Sequence, residues 1–197
     1  MRKSLQTRTI TALVLLAVFV LLLFTLSPRL WEITTLAIVA IAAWEWAKLA
    51  GVRAKIIYAL VTAAAGLGLS LFEERSGVIA NEYLPATVFW VVLVPLWLAS
   101  GWQTKSVALL AATGWIVLLP AWLAVVDLRA LDPALLLWMM SVIWLADTAA
   151  YFAGKAFGKR KLAPIISPNK TWEGVAGAFS AVALYAILGT VFGLDGY

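Results

Sequence analysis

The chain has 197 residues, 64% of them hydrophobic and only 13% charged, with a formal net charge of +5. Soluble domains carry about a quarter charged residues, so this composition, with a mean hydropathy of +0.97, identifies an integral membrane protein. Cysteine and histidine are both absent, which excludes disulfides, thiolate or imidazole metal sites, and cysteine or histidine catalysis.

A helix that crosses a bilayer needs roughly 20 mostly apolar residues. Seven such spans are predicted, at about 9–27, 30–49, 55–72, 84–100, 106–126, 134–153 and 172–193. The first has a basic start (Arg2, Lys3, Arg8), but its apolar run is long for a signal peptide and no A-x-A-like cleavage site follows. It is read as a retained helix. The third span contains AAAGLGL, small residues suited to close helix packing. Pro95 and Pro120 lie inside spans and are expected to kink them.

The loops support this count. With the N-terminus cytoplasmic, the outside segments hold only Arg29, Arg75 and Arg129, and the other twelve of the fifteen basic residues lie inside. The outer loops also hold Glu73, Glu74, Glu82, Asp127 and Asp132. Trp31, Trp102 and Trp172 fall near span ends, as interfacial belts do. The expected fold is therefore all-α: one transmembrane domain over 1–197, a polytopic helix bundle of about seven transmembrane helices, with a cytoplasmic basic loop at 154–171.

Glu45, Asp147 and Glu173 are acidic residues in or at the rim of spans. A carboxylate in hydrocarbon is costly, so such residues face a cavity or a partner. Glu45 has Lys48 one turn away, which reads as an interfacial ion pair. Asp147 lies in VIWLADTAAYFAGKAFGKRK with no basic residue within a turn. Gly154 is the expected end of its helix, about 10 Å further on, and Tyr151 at i+4 shares its face. Asp147 is thus read as lining a polar cavity open to the cytoplasm, or as bonded to a neighbouring helix.

Segment 155–170 has five basic residues and no acidic one. Attraction to anionic lipid accounts for such a loop; so does a site for a multiply charged anion, such as a nucleotide triphosphate or a lipid phosphate. In the octet SPNKTWEG (167–174), Pro168 resists helix, and Asn169 or Thr171 can cap a helix that starts there. Backbone N–H groups at such a helix start are expected to be free for phosphate. Lys170 adds a mobile charge, and Ser167 and Thr171 add hydroxyls. Glu173 can orient Lys170 or help hold a metal ion. N-K-T is not a Walker A loop, because G-x-x-x-x-G-K-[ST] is absent and no strand is predicted before it.

The run from Ala146 to Gly177, ADTAAYFAGKAFGKRKLAPIISPNKTWEGVAG, closely resembles the core of the bacterial phosphatidate cytidylyltransferase (CDP-diacylglycerol synthase) family. SPNKTWEG is its most specific part, and WEWAKLAG near the N-terminus agrees in style. The resemblance implies transfer of CMP from CTP to phosphatidic acid, with release of pyrophosphate. It also implies dependence on Mg²⁺ and a place at the cytoplasmic face of the bacterial inner membrane. On this resemblance Asp147, Lys170 and Glu173 are the candidate catalytic residues, with Asp147 also the candidate metal ligand. Tyr151, Lys159, Arg160, Lys161, Ser167, Asn169 and Thr171 are the candidate substrate-binding residues. The expected partners are CTP, phosphatidic acid and the bilayer; nucleic acid is not expected, and a homodimer is admitted.

The family's second signature, with K-R, K-D, a P-G-H-G-G turn and D-R-x-D, does not occur here. The chain therefore resembles the N-terminal part of the enzyme, and these 197 residues alone are expected to have little or no transferase activity. The competing readings are a membrane transport component, a CTP-dependent lipid kinase and a non-catalytic structural remnant.

Overall fold

The computed structural model describes residues 2–71, 79–164 and 167–191. In chain order these form α1 (Arg2–Thr25), α2 (Pro28–Leu49), α3 (Lys55–Leu71) and α4 (Ile79–Val88). A π-helical stretch, Phe89–Leu93, leads into α5 (Val94–Ser100), and α6 (Val107–Leu131) and α7 (Pro133–Phe157) follow. Strands β1 (Lys161–Ala163) and β2 (Ser167–Thr171) then precede α8 (Trp172–Val191). Each of the seven predicted spans coincides with a helix, α4, the π stretch and α5 together making the fourth. Among the described residues, five helical stretches are long and apolar enough to cross a membrane: Pro28–Leu49, Tyr83–Ser100, Val107–Leu131, Pro133–Phe157 and Trp172–Val191. Ile10–Thr25 and Lys55–Leu71 are shorter apolar helices. Residue 72, residues 192–193 and the outer-loop Glu73, Glu74 and Arg75 lie outside the described residues.

Local chemistry sets the helix boundaries. The Ser27 side chain accepts a hydrogen bond from Leu30 N at 3.4 Å and Pro28 follows it, which starts α2. Asp132 and Pro133 start α7 in the same way, with the Asp132 carboxylate accepting from Ala134 N. Gly101, at φ 63°, ends α5 in the left-handed conformation that glycine adopts without strain. Pro95 lacks an N–H, and its ring would clash with the carbonyl of Val91 four residues back. The helix widens to π over Phe89–Leu93, one residue ahead of it. Pro120 sits within α6.

The chain divides into two compact units, Met1–Ala130 and Leu131–Tyr197. In the first, α2 packs on α3. Ala43, Ala47, Tyr58 and Ala59 are buried there, with Trp46, Val52, Ala111 and Leu118 packed around them. Trp46 Nε1 donates to the Leu110 carbonyl at 2.8 Å and the Tyr58 hydroxyl to the Ala111 carbonyl at 2.7 Å. A Cβ at residue 114 would stand 2.5 Å from both of those donor atoms, so this crossing requires glycine. Lys48 Nζ pairs with Glu45 at 2.7 Å and also lies 3.5 Å from the centre of the Trp44 ring, as the sequence suggested. Trp102 and Trp172 are exposed, as belt residues would be, but Trp31 is only 3% exposed. Trp31 packs against Phe19 and beneath the Arg129 guanidinium, so it belongs to the interior and not to the interfacial belt.

In the second unit α7 and α8 run antiparallel along each other. Trp138 stacks on Tyr185, Ser141 Oγ and the Tyr185 hydroxyl are 2.7 Å apart, and Gly177 and Gly174 meet Ala153 and Gly154 further along. A Cβ on Gly177 would lie 2.3 Å from the Ala153 Cβ, and one on Gly174 would lie 2.9 Å from the Ala150 carbonyl oxygen. Without side chains in the way, the two backbones approach at this end, as small residues permit in membrane helix pairs. The β-ribbon closes the same end. It is antiparallel, with Lys161 opposite Thr171, Ala163 opposite Ser167 and an irregularity between Lys161 and Ala163. It is the only strand structure among the described residues.

Candidate functional site

Where α7, α8 and the ribbon meet, a cleft of about 830 Å³ opens. Asp147, Tyr151 and Lys155 of α7 line it, together with Ala146, Ala150 and Gly154. Each trio is spaced i, i+4, i+8, so the cleft follows one face of α7. Gly174, Val175, Ala178 and Phe179 of α8 form the opposite wall. Leu162 of β1 and Asn169, Lys170 and Thr171 of β2 complete it. One carboxylate and two ammonium groups therefore share a concave surface with the polar Tyr151, Asn169 and Thr171, and the remaining lining is small or apolar.

The local sequence explains how each group arrives. Gly154 does not end α7 as expected. The helix continues to Phe157, and Gly158 closes it by donating its N–H to the Gly154 carbonyl at 3.0 Å. Asp147 is consequently ten residues, or about 15 Å, from the helix end. Gly158 is sterically required: a Cβ there would lie 2.2 Å from the Gly154 oxygen and 2.9 Å from Thr171 Cγ2. Thr171, 6% exposed, is the N-cap of α8, its Oγ1 accepting from Gly174 N at 3.2 Å. The same hydroxyl would be 3.0 Å from a Cβ on Gly154. Thr171 thus ties the start of α8 to the last turns of α7.

The start of α8 is not the open phosphate cradle that the sequence suggested. Gly174 N is taken by Thr171 Oγ1, and Trp172 N donates to the Arg160 carbonyl at 3.0 Å. The side chains, and above all the two lysines, are left as the anion-attracting groups of the cleft. Lys155 was not singled out from sequence as a site residue, although its place two turns after Asp147 and one after Tyr151 could have signalled it. Its Nζ lies 5.7 Å from the centre of the Tyr151 ring, within range of a cation–π attraction.

Of the residues nominated from sequence, Asp147, Tyr151, Asn169, Lys170 and Thr171 come together in the cleft. Lys159, Arg160, Lys161, Ser167 and Glu173 are not among the residues lining it. Lys161 and Ser167 sit in the ribbon opposite Thr171 and Ala163, and Lys159 and Arg160 are exposed in the segment leading to it. Glu173 points to that segment: both of its carboxylate oxygens accept from Arg160 N at 3.2 Å. Among the described residues no three His, Cys, Asp or Glu side chains gather as a metal cluster, and Asp147 is the one carboxylate lining the cleft.

The model of the Cytidylyltransferase family matches residues 6–195. A protein of Pseudomonas aeruginosa named phosphatidate cytidylyltransferase is 37% identical over 188 residues, which cover 89% of this chain and 67% of that protein. One of the same name from Haemophilus influenzae is 31% identical over 211 residues, covering 93% of this chain and 72% of the relative. Another, from Brucella suis, is 33% identical over 187 residues, covering 91% and 66%. The chain thus spans about two thirds of the length of these curated relatives. No solved structure matches it. An apolar helical chain whose carboxylate and two lysines line one cleft, matched from residue 6 to residue 195, belongs to the cytidylyltransferase family.

Proposed function

We propose that this chain carries the substrate cleft for transfer of CMP from CTP to phosphatidic acid, giving CDP-diacylglycerol and pyrophosphate. The observation that carries the reading is the convergence of Asp147 with Lys155 and Lys170 in the cleft between α7, α8 and the ribbon. The family match and the name of the relatives, phosphatidate cytidylyltransferase, support the reaction class. The twelve-to-three split of basic residues supports a cytoplasmic position for this end of α7 and α8, with the inner membrane as the matching site for a bacterial lipid enzyme.

In the proposed reaction an oxygen of the lipid phosphate attacks the α-phosphorus of CTP. The bond from that phosphorus to the bridging oxygen breaks, and pyrophosphate leaves with the electron pair. Both reactants are anions, so the barrier is lowered chiefly by neutralising charge and by holding attacker and leaving group in line. Lys155 and Lys170, from α7 and from β2, would hold phosphate oxygens from two sides. The Tyr151 and Thr171 hydroxyls and the Asn169 amide would orient them. The small residues of the α7–α8 crossing leave room for the reacting groups, and the apolar α8 wall (Val175, Ala178, Phe179) suits the lipid side.

Mg²⁺ fits this donor set in one way only. Asp147 offers a single carboxylate, and Mg²⁺ commonly takes one or two carboxylates and completes its shell with substrate phosphates and water. Asp147 would hold the ion, which would neutralise phosphate charge.

The test is label transfer from α-³²P-CTP into organic-extractable lipid, with phosphatidic acid and Mg²⁺ in detergent. It is run on the chain alone and on the chain co-expressed with the third of the Pseudomonas relative that the match leaves uncovered. Cytidylyl-lipid formed in either preparation and lost in Asp147→Asn supports the reading. Label entering lipid only from γ-³²P-CTP would assign a lipid kinase, and no transfer in either preparation would overturn the proposal.

A further inference from the structure

Glu173 presents a carboxylate next to a nucleotide-sized cleft yet does not line it. Its two oxygens share the N–H of Arg160, at 3.2 Å each. The preceding residue, Trp172, donates its own N–H to the carbonyl of the same Arg160 at 3.0 Å. Both backbone groups of Arg160 are thus held by two consecutive residues in the first turn of α8. Immediately after Arg160 the chain enters β1, and β1 pairs with β2 from Lys161 opposite Thr171. Thr171 in turn caps α8 through Gly174 N. Strand β2 supplies Asn169, Lys170 and Thr171 to the cleft.

We infer that Glu173 is a positioning residue: with Trp172 it clasps the backbone of Arg160, and so fixes the ribbon that carries Asn169 and Lys170 over the cleft. The inference rests on the anion-binding role proposed above for that cleft. A three-residue strand paired with a five-residue one is too small to be stable by itself. It needs a tether, and after the Gly158 N–H closes α7 the chain up to Arg160 is no longer helical. The clasp asks only for an acceptor at residue 173, because the Arg160 N–H is a neutral donor. A carboxamide oxygen can accept that bond; a methyl group cannot. A residue that ligates a metal or moves a proton would instead need the carboxylate itself.

The experiment compares the parent chain with Glu173→Gln and Glu173→Ala in detergent. Two readouts are taken: amide hydrogen exchange over peptides covering 158–164, and equilibrium binding of radiolabelled CTP with Mg²⁺. The expected result is parent-like exchange and CTP affinity in Glu173→Gln. In Glu173→Ala, exchange over 158–164 accelerates and CTP affinity falls by up to about tenfold, the scale of one lost hydrogen bond. Unchanged exchange in Glu173→Ala would overturn the clasp. Glu173→Gln losing CTP as fully as Glu173→Ala, with parent-like exchange, would also overturn it, since the charge rather than the bond would then matter. A parent chain that binds no CTP would remove the role proposed for the cleft, and the positioning role with it, while the exchange data would still decide whether the clasp exists.

Discussion

Gly177 lies so close to Ala153 that a methyl group added at residue 177 would stand 2.3 Å from the Ala153 Cβ. That separation is far inside van der Waals contact, so α7 and α8 would have to part. Replacing Gly177 by Ala is expected to destabilise the protein by about 1–3 kcal/mol, the usual cost of overpacking a tight interface. Gly68 in α3 is the matched control: a Cβ there meets nothing within 4 Å. Gly68→Ala should be neutral or stabilising by up to about 1 kcal/mol, through helix propensity. Thermal unfolding of both variants in detergent checks the contrast, and equal losses at the two sites would contradict the close crossing.

The Thr171 hydroxyl makes the cap bond to Gly174 N. Thr171→Val keeps the shape and removes the acceptor, and should cost about 1 kcal/mol. Thr171→Ser should keep most of the stability. The same pair separates the cap from the cleft: if the hydroxyl also orients phosphate, Thr171→Val weakens CTP binding by more than its stability loss accounts for.

Lys155 and Lys170 reach the cleft from different elements, and neither should be able to replace the other. Each single change to Ala is expected to weaken CTP binding on the order of tenfold, the scale of a charge-assisted hydrogen bond. Raising the salt concentration should shrink both effects, because the groups are open to solvent. Titration at two ionic strengths measures this. An unaffected Lys155→Ala variant would remove Lys155 from the site.

Arg129 belongs to the first unit and is 8% exposed. Its Nε donates to the Leu23 carbonyl at 3.0 Å, its Nη2 to the Leu26 carbonyl, and the guanidinium lies 5.1 Å from the centre of the Trp31 ring. It therefore serves the orphan carbonyls at the end of α1, where a cation is favoured by the helix dipole. Arg129→Met should cost about 1–3 kcal/mol, the penalty for leaving such groups unpaired. Arg129→Lys should recover only part of this, since one ammonium cannot reproduce the planar fork. Unfolding measurements that find Arg129→Lys equal to the parent would show that charge alone suffices.

The sequence by itself determined the spans. Seven apolar runs match the helices because the cost of leaving backbone N–H and C=O groups unpaired in lipid forces helix wherever about 20 apolar residues follow one another. Helical spacing also put Asp147 and Tyr151 on one face and cap chemistry started α8 at SPNKT, while the family resemblance nominated Asp147, Tyr151, Asn169, Lys170 and Thr171, which line one cleft. What lay beyond the sequence were the features made by pairing across the chain. The hydrogen bonds between Arg160 and both Trp172 and Glu173 join residues a dozen or more apart, and no local pattern signals them. With them, Lys161–Ala163 and Ser167–Thr171 pair as a ribbon, Glu173 turns from the cleft, and the helix start that looked open to phosphate is already bonded. Only the tertiary structure could decide this: a polar group at a helix end takes whichever partner the fold brings within about 3 Å, and that choice is made in space rather than along the chain.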